Sequence, residues 1–138
     1  MVESANAGIL AEFTNTTNYS LTYNIEVIET PTIISKKSQK NILSRKNLET
    51  STKSIVEGAD VFGYQDRLKV DNMNAAYIDY IISPTLENIV FIRQYYIIRA
   101  NYLISITFYL TAKPGESFSK YQNYSHLYKL VTRSLSFD

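Results

Sequence analysis

The sequence predicts an α+β fold built on an antiparallel sheet, and three observations carry that expectation. The run 102–112 alternates, with Tyr102, Ile104, Ile106, Phe108 and Leu110 set against Leu103, Ser105, Thr107 and Tyr109. Side chains alternate faces along a strand, so this is one core face and one more polar face. Two further strand-like runs, 75–82 and 90–98, precede it with short connections. Segments around 44–57 and 118–135 instead place apolar residues at three- and four-residue steps, the helical spacing. The chain has 138 residues, 45% of them hydrophobic and 20% charged, enough for the core of a single domain spanning 1–138.

Taken in order, residues 1–8 are small and polar and are expected to be flexible. Residues 9–13 suit a short strand, and Asn15-Thr16-Thr17-Asn18 has turn chemistry. Residues 19–28 alternate well, with Tyr19, Leu21, Tyr23, Ile25 and Val27 on one face; Pro31 ends that strand or marks an edge. Thr32-Ile33-Ile34 extends it. From Ser38 or Ser44 to Glu57 the pattern is helical, with an imperfect stripe of Ile42, Leu43, Leu48, Thr52, Ile55 and Val56. Gly58 follows as a C-terminal glycine, where positive φ is cheap. Residues 59–64 read as a short strand and 65–74 as a turn-rich ribbon. Residues 83–88 form a surface connection.

The register around 99–101 follows from where a charge can go. A three-residue loop Arg99-Ala100-Asn101 sets Ile98 against Tyr102, Tyr96 against Ile104 and Ile92 against Phe108. A two-residue loop sets Arg93 against Phe108 on the core face, burying a charge, and is rejected. On this register Ala76, Ile78, Tyr80 and Ile82 share the core face. Tyr77, Asp79 and Ile81 share the other with Arg93, Tyr95 and Tyr109, and Asp79 neighbours Arg93 across strands. Ser117 caps a closing helix that carries Phe118, Tyr121, Tyr124, Leu127, Tyr128, Val131 and Leu135, with Phe137 tucked under it.

The functional classes are narrowed mainly by what is missing from the sequence. There is no cysteine and one histidine, so no standard zinc site and no cysteine nucleophile is available. His126 is read as a surface or packing residue. No Gly-x-Ser-x-Gly, phosphate loop or dinucleotide fingerprint is present. Asp60, Asp66 and Asp71 lack calcium-loop spacing and read as solvated turn carboxylates. Sequons at Asn15, Asn18 and Asn123 arise readily in an Asn-rich chain. The expectation is therefore no enzyme, no cofactor and no metal. A net charge of +1 gives no footprint for nucleic acid. Lys36, Lys37, Lys40, Arg45, Lys46 and Lys53 do cluster, and are read as a solvated helix face. No run of eighteen apolar residues exists, so no membrane span is expected. The N-terminus does not read as a signal peptide. A removed signal or lipid anchor would look the same, and an extracytoplasmic place, as of a lipoprotein, is set slightly ahead of a cytoplasmic one.

The second half resembles the PsbP/Mog-like superfamily, with its DcrB-type bacterial proteins. The residues that carry the resemblance are Ile55-Val56-Glu57-Gly58, the ribbon 68–77, Arg93-Gln94-Tyr95-Tyr96, Asn101 to Thr107 and the closing Leu130 to Phe137. It implies an antiparallel sheet with helices packed on both faces, an α/β/α sandwich, and mostly non-enzymatic relatives. No functional residue carries over. The expected function is a binding or assembly module docking a protein partner, the alternative a carrier or chaperone for a hydrophobic ligand, peptide or helix; the oligomeric state is left open. Twelve tyrosines suit either a half-buried sheet or a binding surface. The expected contact patch is Tyr77, Arg93, Tyr95, Arg99 and Tyr109, since Tyr and Arg dominate binding hot spots.

Overall fold

The computed structural model describes residues 7–14, 21–83, 89–112, 125, 127–129 and 131–134. Its elements in chain order are β1 (Ala7–Thr14), β2 (Leu21–Glu29), α1 (Lys36–Ile42), α2 (Arg45–Ile55), β3 (Asp60–Val70), β4 (Met73–Ile82), β5 (Ile89–Arg99) and β6 (Tyr102–Ala112). The strands form one antiparallel sheet in the order β1-β2-β6-β5-β4-β3. The chain thus leaves β2, passes through α1 and α2, re-enters at the far edge as β3 and meanders back until β6 meets β2.

The fold is dominated by its sheet, which corrects the expected sandwich with helices packed on both faces. Among the described residues six strands stand against two short helices of 7 and 11 residues and a few C-terminal helical residues. The stretch read as a short strand plus a ribbon is one 11-residue strand, β3. It reaches its hairpin through Asp71 and Asn72 at φ 47° and 65°, the pair of left-handed residues a tight two-residue hairpin turn demands. The helical region breaks in two at Leu43-Ser44. Ser35 and Ser44 each start a helix, their side chains accepting from Ser38 N and Asn47 N at 3.2 Å. In α2 only Leu48 and Thr52 are buried, while Ile55 is 81% exposed, so the expected stripe is narrower than drawn. Gly58 has φ 75°, as its place after the helix requires.

Each sheet face carries its own core. On one, Ile25, Ala75, Tyr77, Phe91, Tyr95, Ile97, Ile104, Ile106, Phe108 and Leu110 pack with Tyr128 from the C-terminal helical residues. On the other, Ala76, Ile78, Tyr80, Ile92 and Ile98 pack with Ile34, Leu43 and Leu48. The expected core face of Ile104, Ile106 and Phe108 is present, with Ser105 and Thr107 on the opposite face. Ala76, Ile78 and Tyr80 belong to that opposite face, not with Ile104, as the β5–β6 register determines. Arg99 pairs with Tyr102, leaving a two-residue turn of Ala100 and Asn101, with Ala100 at φ 52°. Arg93 therefore stands opposite Phe108, in the register rejected above. The cap Ser117, the loop 84–88, His126, the sequons and Phe118, Tyr121, Tyr124, Leu135 and Phe137 lie outside the described residues.

Candidate docking site

Asp79 and Arg93 explain how the disfavoured register is tolerated. They pair across β4 and β5 as expected, but inside the protein, at 4% and 3% exposure. Arg93 Nε donates to Asp79 Oδ1 at 2.8 Å and Nη2 to Oδ2 at 3.0 Å, a bidentate fork. The guanidinium also lies 4.0 Å from the Tyr77 ring centroid. A buried charge is tolerable when paired and hydrogen-bonded in this way. Gly63 on β3 lies beside the pair, and a Cβ there would come within 3.0 Å of Asp79 Oδ2.

Aromatic rings pack around this pair. Phe108 stacks on Tyr128 at 4.5 Å, and Tyr77 leans on Tyr95 at 5.2 Å. Burial raises the Tyr95 phenol above its ordinary range, against an opposing pull from Arg93. Burial does the same at Tyr77, where Arg93 again opposes. On the other face burial raises Tyr80 further and pushes Tyr96 up to about 12.

The five residues expected to form one contact patch are therefore not one surface. Tyr77, Arg93 and Tyr95 are interior, and Tyr109 belongs to the opposite face. Arg99 sits half-buried at the end of β5. The off-by-one β5–β6 register is what had grouped Tyr109 with the rest.

The surface feature of the described residues that sequence reading passed over is a groove between the helix pair and the β3–β4 hairpin. It encloses about 440 Å³ and opens to solvent. Lys36 and Lys40 on α1, Arg45 at the start of α2 and Arg67 on β3 line it, with Asp66 the one acidic lining residue. Leu43, Leu68 and Ala75 supply apolar wall. Cross-braces fix the two sides. Tyr64 OH donates to Leu43 O at 2.5 Å, and Asn74 Nδ2 to Gln39 Oε1 at 2.8 Å. Gln39 Nε2 in turn donates to Ile34 O at 3.0 Å, and Lys69 Nζ bonds Asn74 Oδ1. Burial raises the Tyr64 phenol, with Asp66 adding to the rise, so it stays a donor. The basic run was visible in the sequence. Its partner Arg67 was not, because it is presented where β3 shifts register between Gln65 and Leu68.

Among the described residues no three His, Cys, Asp or Glu side chains converge as a metal site would need, and no helix is long and apolar enough to cross a membrane. No family model matches the chain, and no curated protein does. A crystal structure of a Pseudomonas aeruginosa protein of unknown function matches it with a TM-score of 0.58 at 13% identity, over 100% of this chain and 85% of that one. At that identity the likeness shows the fold alone.

Proposed function

We propose that the protein is a non-enzymatic binding or assembly module that docks a protein partner at the braced groove between the helix pair and the β3–β4 hairpin. The observation that carries this reading is the contrast between closed sheet faces and an open, cross-braced cleft. Phe108, Ile78, Ile92, Ile97 and Ile106 are each at most 2% exposed, so the described sheet faces are packed rather than hollowed for a ligand. A carrier would bury most of its cargo in a cavity of several hundred cubic ångströms. The groove has that volume but stands open, with charges along it. Quantitative capture from native lysate, beside organic extraction and mass spectrometry of the purified protein, tests the reading. The expected result is a stoichiometric protein partner and no bound apolar small molecule. A lipid or other apolar compound recovered near one per chain would replace docking with carriage.

A further inference from the structure

We infer that the groove takes an acidic segment of the partner protein, an extended stretch rich in Asp and Glu side chains; this rests on the docking reading above. The argument begins with charge. The whole chain carries only +1, yet the groove gathers Lys36, Lys40, Arg45 and Arg67 against Asp66. Arg45 is already paired, its Nε 2.9 Å from Glu49 Oε1. Lys36, Lys40 and Arg67 remain as an excess over Asp66, so this groove is more basic than the nearly neutral chain as a whole. Concentrated charge of one sign in a cleft draws the opposite sign and raises its association rate.

The layout of the cations favours a segment over a compact ion. Lys36 and Lys40 are four residues apart on α1, a separation of about 6 Å along the helix axis. Arg67 comes from the strand on the other side of the groove. Cations strung along two walls match carboxylates spaced along a peptide. Leu43, Leu68 and Ala75 between them give apolar contact to the aliphatic stems and backbone of such a segment. Strand addition at the neighbouring sheet edge is a poorer route, because β3 carries register shifts at Val61/Gly63 and Gln65/Leu68 that interrupt a regular ladder.

Arg67 provides the decisive variant. It holds φ 56°, a conformation glycine adopts without strain. Arg67→Gly should therefore raise the melting temperature while it weakens binding, a pair of opposite signs that damage to the fold cannot produce. The probe is a fluorescein-labelled octapeptide of alternating Asp and Glu, read by anisotropy at 20 and 200 mM salt. The expected result is binding that falls with salt, and that weakens up to about fivefold for Arg67→Gly and again for Lys40→Ala, the fold-change of a roughly 1 kcal/mol exposed ion pair. An octalysine control should not bind. Equal binding by wild type and the Lys36→Ala/Lys40→Ala/Arg67→Gly variant overturns the inference, as does binding of inorganic pyrophosphate by a wild type that binds no octapeptide. The two readings also fail separately. A partner captured equally by wild type and triple variant removes the acidic-segment inference and leaves the docking module in place.

Discussion

Arg93 and the groove cations are the same chemistry put to opposite uses. Arg93 is stripped of water, and its charge is answered within the chain by Asp79 and the Tyr77 ring. Arg45, with 59% of its side chain exposed, meets Glu49 one helical turn away in a pair that solvent screens to about 0.3–0.5 kcal/mol. Lys36, Lys40 and Arg67 are exposed along an open cavity. A cation inside the core must be satisfied before folding is complete, and it then has nothing to offer a partner. A cation on a groove wall costs the fold little and keeps its field for whatever approaches. What separates the roles is burial rather than residue type.

The largest test of this contrast is Asp79→Ala. It leaves the Arg93 charge buried without its carboxylate and should destabilise by about 3–5 kcal/mol in urea melts. The double variant Asp79→Leu/Arg93→Met should recover most of that loss. A cost under about 1 kcal/mol for Asp79→Ala would mean that water reaches Arg93 and that the two regions differ less than described.

Next in size is Gly63→Ala. Its methyl would press on Asp79, whose two oxygens are held by Arg93 and cannot retreat. We expect a loss of about 1–3 kcal/mol from overpacking. Most of that loss should vanish in an Asp79→Ala background. An unchanged cost there would place the strain in the β3 backbone instead of at the ion pair.

The smallest effect is confined to alkaline solution. Burial raises the Tyr96 phenol to about 12 and Tyr80 in the same direction, while an unfolded tyrosine ionises near 10. The folded state then holds protons that the unfolded state releases. The stabilisation is complete below pH 10 and is lost as pH rises from 10 towards 12. Denaturant midpoints should fall across that window, and phenolate absorbance from these tyrosines should appear only with unfolding. Full ionisation of all tyrosines at pH 10.5 without unfolding would refute it.

The sequence was most legible where local pattern and tertiary burial agree. The alternation of β6, the facing of Asp79 to Arg93 and the shared face of Tyr77 and Tyr95 could be read directly. The β5–β6 register failed for an instructive reason. Arg93 is prohibitive on the core face only as a bare charge, and the alternation of β4 and β5 itself sets Asp79 beside it. Once the pair is counted as a unit, the two-residue turn is the cheaper one, and Ala100 accepts a positive φ to close it. Residues 65–74 read as a ribbon because a bulged strand ending in Asp71-Asn72 has the composition of a loop. Of the groove, only the helix-borne cations were visible, since a bulge that brings Arg67 to face them leaves no periodic trace.

The Ala100-Asn101 turn is also a latch for the first half of the chain. Thr30 N donates to Asn101 O at 2.8 Å and Ile34 N to Ala100 O at 2.9 Å, while Asn101 Nδ2 reaches Thr30 O at 3.1 Å. These bonds join residues about seventy positions apart, and β2 finds its inner neighbour only in β6. On a growing polypeptide, β2 and the approach to α1 must wait for nearly the whole sequence before they can be seated. Such long-range closure makes folding slow and exposes unpaired strand in the interval. The groove wall built by α1 is therefore among the last parts of the molecule to acquire its place, and it acquires it from a turn that has no part in the groove itself.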